Sequence, residues 1–369
     1  MKAHASQARQ PAGRKVTVFG AGSWGTALAL LLASNGHRVT LWARRPEVAA
    51  HIRRTRHNPT YLPNIELPCS VYVTADLEEA ATGREVWVIA TPAQAVRSLA
   101  EQLRCWAHPE LIVVSVAKGL EIATRKTTTQ VLGEVLSEVP REHIGVLYGP
   151  SHAEEVAAGM PTTVVASAPS CAVAEQIQAL FMAPTFRVYV NPDLIGVEIA
   201  GSVKNVLALA AGMSDGVGFG DNAKAALITR GLAEMQRLGV RMGADPATFA
   251  GLAGIGDLVV TCMSRHSRNR YLGEQIGRGR TLEEVQQEMQ MVAEGVPTTA
   301  AVYQLAQELD VEMPITEAVY QILFAGKKPH DAVRDLMTRE AKYEDWLPYS
   351  AADTARPNGQ VAPETTPSR

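Results

Sequence analysis

The chain has 369 residues, 46% of them hydrophobic and 20% charged, with a formal net charge of -3 and a pI near 6.3. That length is more than one small core organises, so two domains are expected of a globular protein. The near-neutral balance leaves no basic footprint for nucleic acid or an anionic membrane, and no continuous apolar run is long enough to imply membrane insertion.

Cys69, Cys105, Cys171 and Cys262 are scattered without a C-x-x-C pair. The reading is reduced core thiols in a cytoplasmic protein, with neither a disulfide frame nor a metal site. Residues 1–13 are polar and no apolar segment follows them, so a disordered leader is expected there and not a secretory signal. Residues 348–369 lack apolar periodicity, and a disordered tail is expected over 346–369.

Between these ends, Lys15–Phe19 is a short β-rich run that ends in G-A-G-S-W-G (20–25). An alanine- and leucine-rich helix is predicted over 26–34 and a second strand over Arg38–Trp42. Strand, G-x-G-x-x-G, helix, strand is the dinucleotide-binding arrangement. Gly20 permits the tight turn, Gly22 lets backbone approach a pyrophosphate, and Gly25 lets helix and strand pack closely. The helix N-terminus then offers N–H groups to phosphate. The second strand ends in L-W-A-R-R-P (41–46), where an acid would normally meet the ribose 2′-hydroxyl of NAD. Arg44 and Arg45 there favour a 2′-phosphate, so NADPH is the expected cofactor, with NADH possible.

Further strands are predicted at 71–73, 85–90, 111–116, 144–148, 164–166 and 186–190, with helices at 76–81, 93–104 and 127–137. Alternation of this kind implies an α/β fold: a Rossmann-like, mainly parallel sheet over residues 14–192. Ligands in such sheets sit outside the carboxyl ends of the strands. Those ends carry the Gly20 turn, Thr91 and Pro92, Lys118 and Gly119, and Gly149, Pro150 and Ser151. Lys118 should project into the crevice, and Ser151 is placed to cap the next helix with its hydroxyl towards ligand. His152 is read as structural.

After Asn191 and Pro192 strand signals fade, and an all-α C-terminal domain is expected over 193–345, with Asp193 as the first N-cap. Its central stretch, I-A-G-S-V-K-N-V-L-A-L-A-A-G-M (199–213), has the composition of a buried helix with one ammonium group, Lys204. Ala200, Gly201, Ala208 and Ala211 share roughly its face, and the small Ala200 and Gly201 leave room for a flat ligand. A surface lysine needs a charged helical face around it, and none is present. A lysine in a dry pocket suits proton transfer to or from an alcohol or carbonyl oxygen. The glycine-rich segment 212–220 reads as a flexible turn before a helix over 223–242. Asp257 either caps the apolar run that follows it or orients Lys204 or the substrate hydroxyls. Ser267, Arg268 and Asn269 open a further helix with the donors a phosphate dianion wants.

These segments resemble bacterial NAD(P)-dependent glycerol-3-phosphate dehydrogenases over about residues 16–337. The resemblance rests on G-A-G-S-W-G-T-A-L-A, V-A-K-G-L-E, Y-G-P-S-H-A-E-E-V, I-A-G-S-V-K-N, G-I-G-D-L-V-V-T-C, H-S-R-N-R and V-A-E-G-V-P-T-T. It implies reversible hydride transfer between dihydroxyacetone phosphate and sn-glycerol 3-phosphate, supplying phospholipid synthesis. It implies Lys204 as the residue exchanging the proton. Substrate contacts are implied for Lys118, Gly149, Ser151, Lys204, Asp257, Ser267, Arg268 and Asn269. Cofactor contacts are implied for Ser23, Trp24, Arg44, Arg45, Tyr61, Lys118, Ala153, Arg268, Val292 and Glu294. A homodimer with a small phosphorylated substrate is expected. Two other functions fit parts of the pattern: a 6-phosphogluconate-like hydroxy-acid dehydrogenase, and a module that binds NADPH without turnover.

Overall fold

The computed structural model describes residues 13–289 and 291–341. The expected tail, and the expected leader apart from Gly13, lie outside the described residues. The chain begins with a parallel sheet built on β1 (Lys15–Phe19), with β2 (Arg38–Trp42) on one side. A small antiparallel hairpin follows, β3 (His57–Asn58) and β4 (Leu62–Glu66). Then come β5 (Tyr72–Thr74), β6 (Val86–Ile89), β7 (Ile112–Ser115), β8 (Ile144–Tyr148), β9 (Thr162–Ser167) and β10 (Phe186–Val190). Eight of these strands form one sheet in the order β10-β9-β8-β7-β6-β1-β2-β5. Every pairing in it is parallel except β8 with β9.

The central strands β6, β7 and β8 are buried at every residue, as expected where helices cover both faces. One apolar layer joins the sheet to Leu28 and Leu32 of helix Ser23–Ser34 and to Ile177 and Phe181 of helix Cys171–Phe181. The opposite layer joins it to Leu99 and Leu103 of helix Val96–Leu103 and to Val131 and Leu132 of helix Thr128–Val135. The order of strands changes direction at β1, whose neighbours β2 and β6 lead away on opposite sides, so the crevice opens at its carboxyl end.

The helical half is assembled around helix Leu194–Val217, capped by Asp193, whose carboxylate accepts from the Gly196 N–H at 2.9 Å. Helices Asp221–Arg241, Asp257–Met263, Arg268–Gly277, Gly295–Glu308 and Pro314–Phe324 all contact it. The central helix is long and apolar enough to cross a membrane by composition, yet it is wrapped by protein along nearly its whole length.

Three expectations are corrected. The segment 212–220 is not a turn throughout, because the helix continues to Val217 and ends only at Gly218, with φ of +93°. Gly212 and Gly216 serve interhelical approach instead: a Cβ at Gly212 would lie 1.9 Å from the Arg270 carbonyl oxygen. Gly201 opens no space beside the lysine, since the Tyr148 ring fills it and a Cβ there would stand 2.6 Å from that ring. Of the four thiols only Cys262 is in the core, while Cys69, Cys105 and Cys171 are exposed. Small side chains tolerate either setting, and composition could not separate them.

Candidate functional site

A single cleft of about 730 Å³ runs from the β1 turn to the helical half, within the range of small-molecule sites. Its first wall is the turn after β1. Gly20 has φ of +121°, and a Cβ on Gly25 would lie 1.9 Å from the Gly20 carbonyl oxygen, so both positions exclude side chains. Helix Ser23–Ser34 starts there at Gly22 with no side-chain cap and no acid in its first turn. Its leading N–H groups therefore face the cleft unneutralised, and nothing crowds the Cβ position of Gly22. Ser23 donates to the Tyr61 carbonyl at 2.6 Å. Trp24, Arg44, Arg45 and Tyr61 line the same wall, the two guanidinium groups exposed at its rim. Tyr61 arrives on the β3–β4 hairpin, an element the sequence pattern did not announce because its strands are short and polar.

At the other end, Lys204 is only 6% exposed. Its ammonium donates to Asp257 Oδ1 at 2.5 Å and to Thr261 Oγ1 at 2.8 Å. The second Asp257 oxygen accepts from Lys118 Nζ at 2.7 Å, and Lys118 also donates to the Gly149 carbonyl at 2.9 Å. Burial opposes ionisation of Asp257, but the two ammonium groups outweigh it and hold the carboxyl below its ordinary range. Lys204 moves the other way from a free lysine: burial above all, and then the Lys118 charge, bring it down to about 8 against the pull of Asp257. Two ammonium groups and one carboxylate leave one net positive charge in a nearly dry site. Such a site attracts an anion and stabilises a developing alkoxide.

Ser267 caps helix Arg268–Gly277, accepting from the Arg270 N–H at 3.2 Å, and Arg268 lines the cleft from that helix start. Asn269 accepts from the Gly295 N–H at 2.9 Å and donates to Asn205 at 3.0 Å, leaving one amide hydrogen without a partner among the described residues. Asn205 in turn donates to the Lys118 carbonyl at 3.3 Å, which ties this end to the lysines. Glu294 accepts from the Ala93 N–H at 3.3 Å, while its other oxygen is buried without a partner among the described residues. Burial pushes its carboxyl up to about 7, against the Ala93 N–H and Arg268. Ala153 is buried at the edge of the cleft and Val292 is exposed there. Every predicted site residue except Gly25 and Gly149 lines this one cleft, and those two shape its turns.

Ser151 differs in detail. Its hydroxyl donates to the Gly149 carbonyl at 3.0 Å, and helix Ala153–Ala157 begins one residue later, with His152 at the N-cap. With its hydroxyl turned back to the Gly149 carbonyl, Ser151 precedes the N-cap and does not supply it. Sequence reading missed Thr261, one helical turn after Asp257 and so on the same face, and Tyr148, whose ring centroid is 5.7 Å from Lys118 Nζ. The spacing of Thr261 was available; the Tyr148 contact joins the carboxyl ends of the neighbouring strands β7 and β8, far apart in sequence, and left no local trace.

A glycine turn shaped for close approach, an uncapped helix start and two rim guanidinium groups fit a dinucleotide bearing a 2′-phosphate. Two family models match the chain. Residues 15–174 match the NAD-dependent glycerol-3-phosphate dehydrogenase N-terminus, and residues 193–334 match its C-terminus. The chain belongs to the glycerol-3-phosphate dehydrogenase family. A relative named glycerol-3-phosphate dehydrogenase [NAD(P)+] 1, from Salinibacter ruber, is 62% identical over 333 residues, covering 90% of this chain and 98% of its own. Another, glycerol-3-phosphate dehydrogenase [NAD(P)+] from Chlorobium phaeobacteroides, is 56% identical over 330 residues, covering 89% of this chain and 99% of its own. The crystal structure of a glycerol-3-phosphate dehydrogenase from Coxiella burnetii superposes with a TM-score of 0.85 at 38% identity, covering 89% of this chain and 99% of that one. Of the two family models, the first covers the sheet through β9 and the second the helices packed around Lys204.

Proposed function

We propose that the protein catalyses the reversible NAD(P)H-dependent reduction of dihydroxyacetone phosphate to sn-glycerol 3-phosphate, the reaction that supplies glycerophospholipid synthesis. The observation that carries this reading is Lys204, buried and paired to Asp257 in the same cleft as the glycine turn. When bound, the nicotinamide cofactor supplies the hydride. Gly20, Gly22 and Gly25 shape its turn, Ser23 and Trp24 stand at the uncapped helix start, and Arg44 and Arg45 meet a 2′-phosphate. Tyr61, Ala153, Val292 and Glu294 complete that wall.

Ser267, Arg268, Asn269 and the turn 149–151 hold the substrate phosphate, and that remote binding energy orients the ketone. Lys118 and Lys204 stabilise negative charge as it develops on the carbonyl oxygen, and Lys204 delivers the proton. Asp257 fixes both amines at hydrogen-bonding distance, so little reorganisation is needed when the charge appears. We assign residues 14–192 chiefly to cofactor binding and 193–345, of which 342–345 lie outside the described residues, chiefly to substrate and proton transfer, in a cytoplasmic homodimer.

The test is a spectrophotometric comparison of NADPH and NADH with dihydroxyacetone phosphate, alongside oxidation of 6-phosphogluconate. The reading expects steady NAD(P)H oxidation with the triose phosphate, a preference for NADPH, and no turnover of 6-phosphogluconate. Failure to oxidise either cofactor in the presence of dihydroxyacetone phosphate contradicts it.

A further inference from the structure

We propose that Tyr148 is a positioning residue for the reaction, its aromatic face being the surface on which the Lys118 ammonium rests and is kept on Asp257 beside Lys204. The proposal rests on the reaction proposed above, in which both amines meet the substrate oxygen. Tyr148 ends β8 and is buried. Lys118 Nζ lies over its ring, 5.7 Å from the centroid, within reach of a cation–π contact. Lysine has a long flexible stem, and its hydrogen bonds to Asp257 at 2.7 Å and to the Gly149 carbonyl at 2.9 Å hold only the tip. The ring supplies the remaining side of the seat.

The ring is itself held in place. Its hydroxyl donates to the carbonyl of Ala117, the residue before Lys118, which ties it to the backbone that carries the amine. That hydroxyl also lies 3.4 Å from Thr128 Oγ1, which donates to Glu198 on helix Leu194–Val217 at 3.2 Å. The edge of the ring closes on Gly201, where a Cβ would lie 2.6 Å away, one helical turn before Lys204. Tyr148 therefore touches the carriers of both amines. An aliphatic side chain of similar reach would fill the same space, but it would offer no negative ring face to an ammonium.

Loosening Lys118 leaves a signature at Lys204. Burial lowers the Lys204 pKa, Asp257 raises it and the Lys118 charge lowers it again, with about 8 as the result. His152 and Cys262 also sense the Lys204 charge, but burial brings His152 down to about 4 and pushes Cys262 up to about 12, so both are uncharged near pH 8. Burial likewise raises the Tyr148 phenol well above its ordinary range, so the ring does not titrate there. When Lys118 moves away, the Lys204 pKa rises, and the pH at which ketone reduction falls rises with it.

Tyr148→Phe removes the hydroxyl and keeps the ring. Replacing Tyr148 by mono-, di- and trifluorinated phenylalanine keeps the shape of the Phe variant while withdrawing electron density from the ring face. The measurements are kcat and KM for dihydroxyacetone phosphate across pH, and the NADPH dissociation constant. The Phe variant should keep kcat within about threefold of the wild type, with the alkaline fall at the same pH. Along the fluorinated series kcat should decrease stepwise, by about threefold to tenfold at the trifluorinated ring, and the alkaline fall should move up by about half a pH unit. KM and the NADPH dissociation constant should stay within about twofold. A series flat in kcat overturns the proposal. So does a Phe variant that fails to fold or that loses as much as the trifluorinated one, since the hydroxyl and not the ring face is then what the site needs. A wild-type protein that fails to reduce dihydroxyacetone phosphate overturns the reaction itself, before any variant is compared.

Discussion

A lysine held at 6% exposure survives because Asp257 and Thr261 accept from it, and it remains titratable because burial works against its charge. With Lys204 brought down to about 8, the free enzyme changes protonation within an accessible pH range. Ketone reduction needs the ammonium form, so kcat/KM for dihydroxyacetone phosphate should be level below that pH and fall as pH rises through it. Oxidation of sn-glycerol 3-phosphate needs the free amine and should rise through the same pH. Steady-state rates in both directions between about pH 6 and 10 check this; profiles that move together contradict a lysine acting as acid one way and base the other. Lys204 was legible in the sequence because no charged face accompanies it over 199–213. Its partners were less so. Asp257 was left between a capping and an orienting role, and no local pattern links it to Lys118, 139 positions away.

At the scale of elements, the anion end of the cleft depends on how closely two helices approach. Gly212 of helix Leu194–Val217 touches the backbone of helix Arg268–Gly277, and Gly273 returns the contact, its Cβ position lying 2.1 Å from the Leu209 carbonyl oxygen. Gly212→Ala must push these helices apart, and Ser267, Arg268 and Asn269 at the start of the second one move with it. The expected cost is roughly 1–3 kcal/mol in stability with a raised KM for the phosphorylated substrate. Denaturant unfolding and kinetics on the same preparation check both; an unchanged unfolding midpoint contradicts the contact. This is also where sequence reading erred, because glycine marks turns and close helix contacts alike. The strands fared better: β1, β2 and β8 stand within the bounds expected from their apolar runs, since burial on both faces leaves a nearly uninterrupted signal, and β10 does so through its alternation of buried and open residues. The hairpin that delivers Tyr61 carries no such signal, with three of the five β4 residues exposed.

For the whole molecule, the cleft exists only while the sheet and the helical half keep their relation, and Glu198 is placed to maintain it. This carboxylate is 2% exposed on the lysine helix. It accepts from Thr127 Oγ1 at 2.8 Å, Thr129 N at 3.0 Å and Thr129 Oγ1 at 2.5 Å, all at the start of helix Thr128–Val135. Burial raises its pKa, opposed by those same donors. Glu198→Ala leaves several buried donors unmet and should cost roughly 2–4 kcal/mol in denaturant unfolding. A change under about 0.5 kcal/mol would mean that the halves are held together elsewhere.

The claim on which the rest depends is that the Lys204 amine moves the proton at the substrate oxygen. Lys204→Ala, assayed with NADPH and dihydroxyacetone phosphate, tests it most directly. The account predicts that kcat falls by roughly 10²–10⁴ while the NADPH dissociation constant stays within about twofold. Turnover within about tenfold of the wild type, only ~1.4 kcal/mol in the barrier, would contradict it.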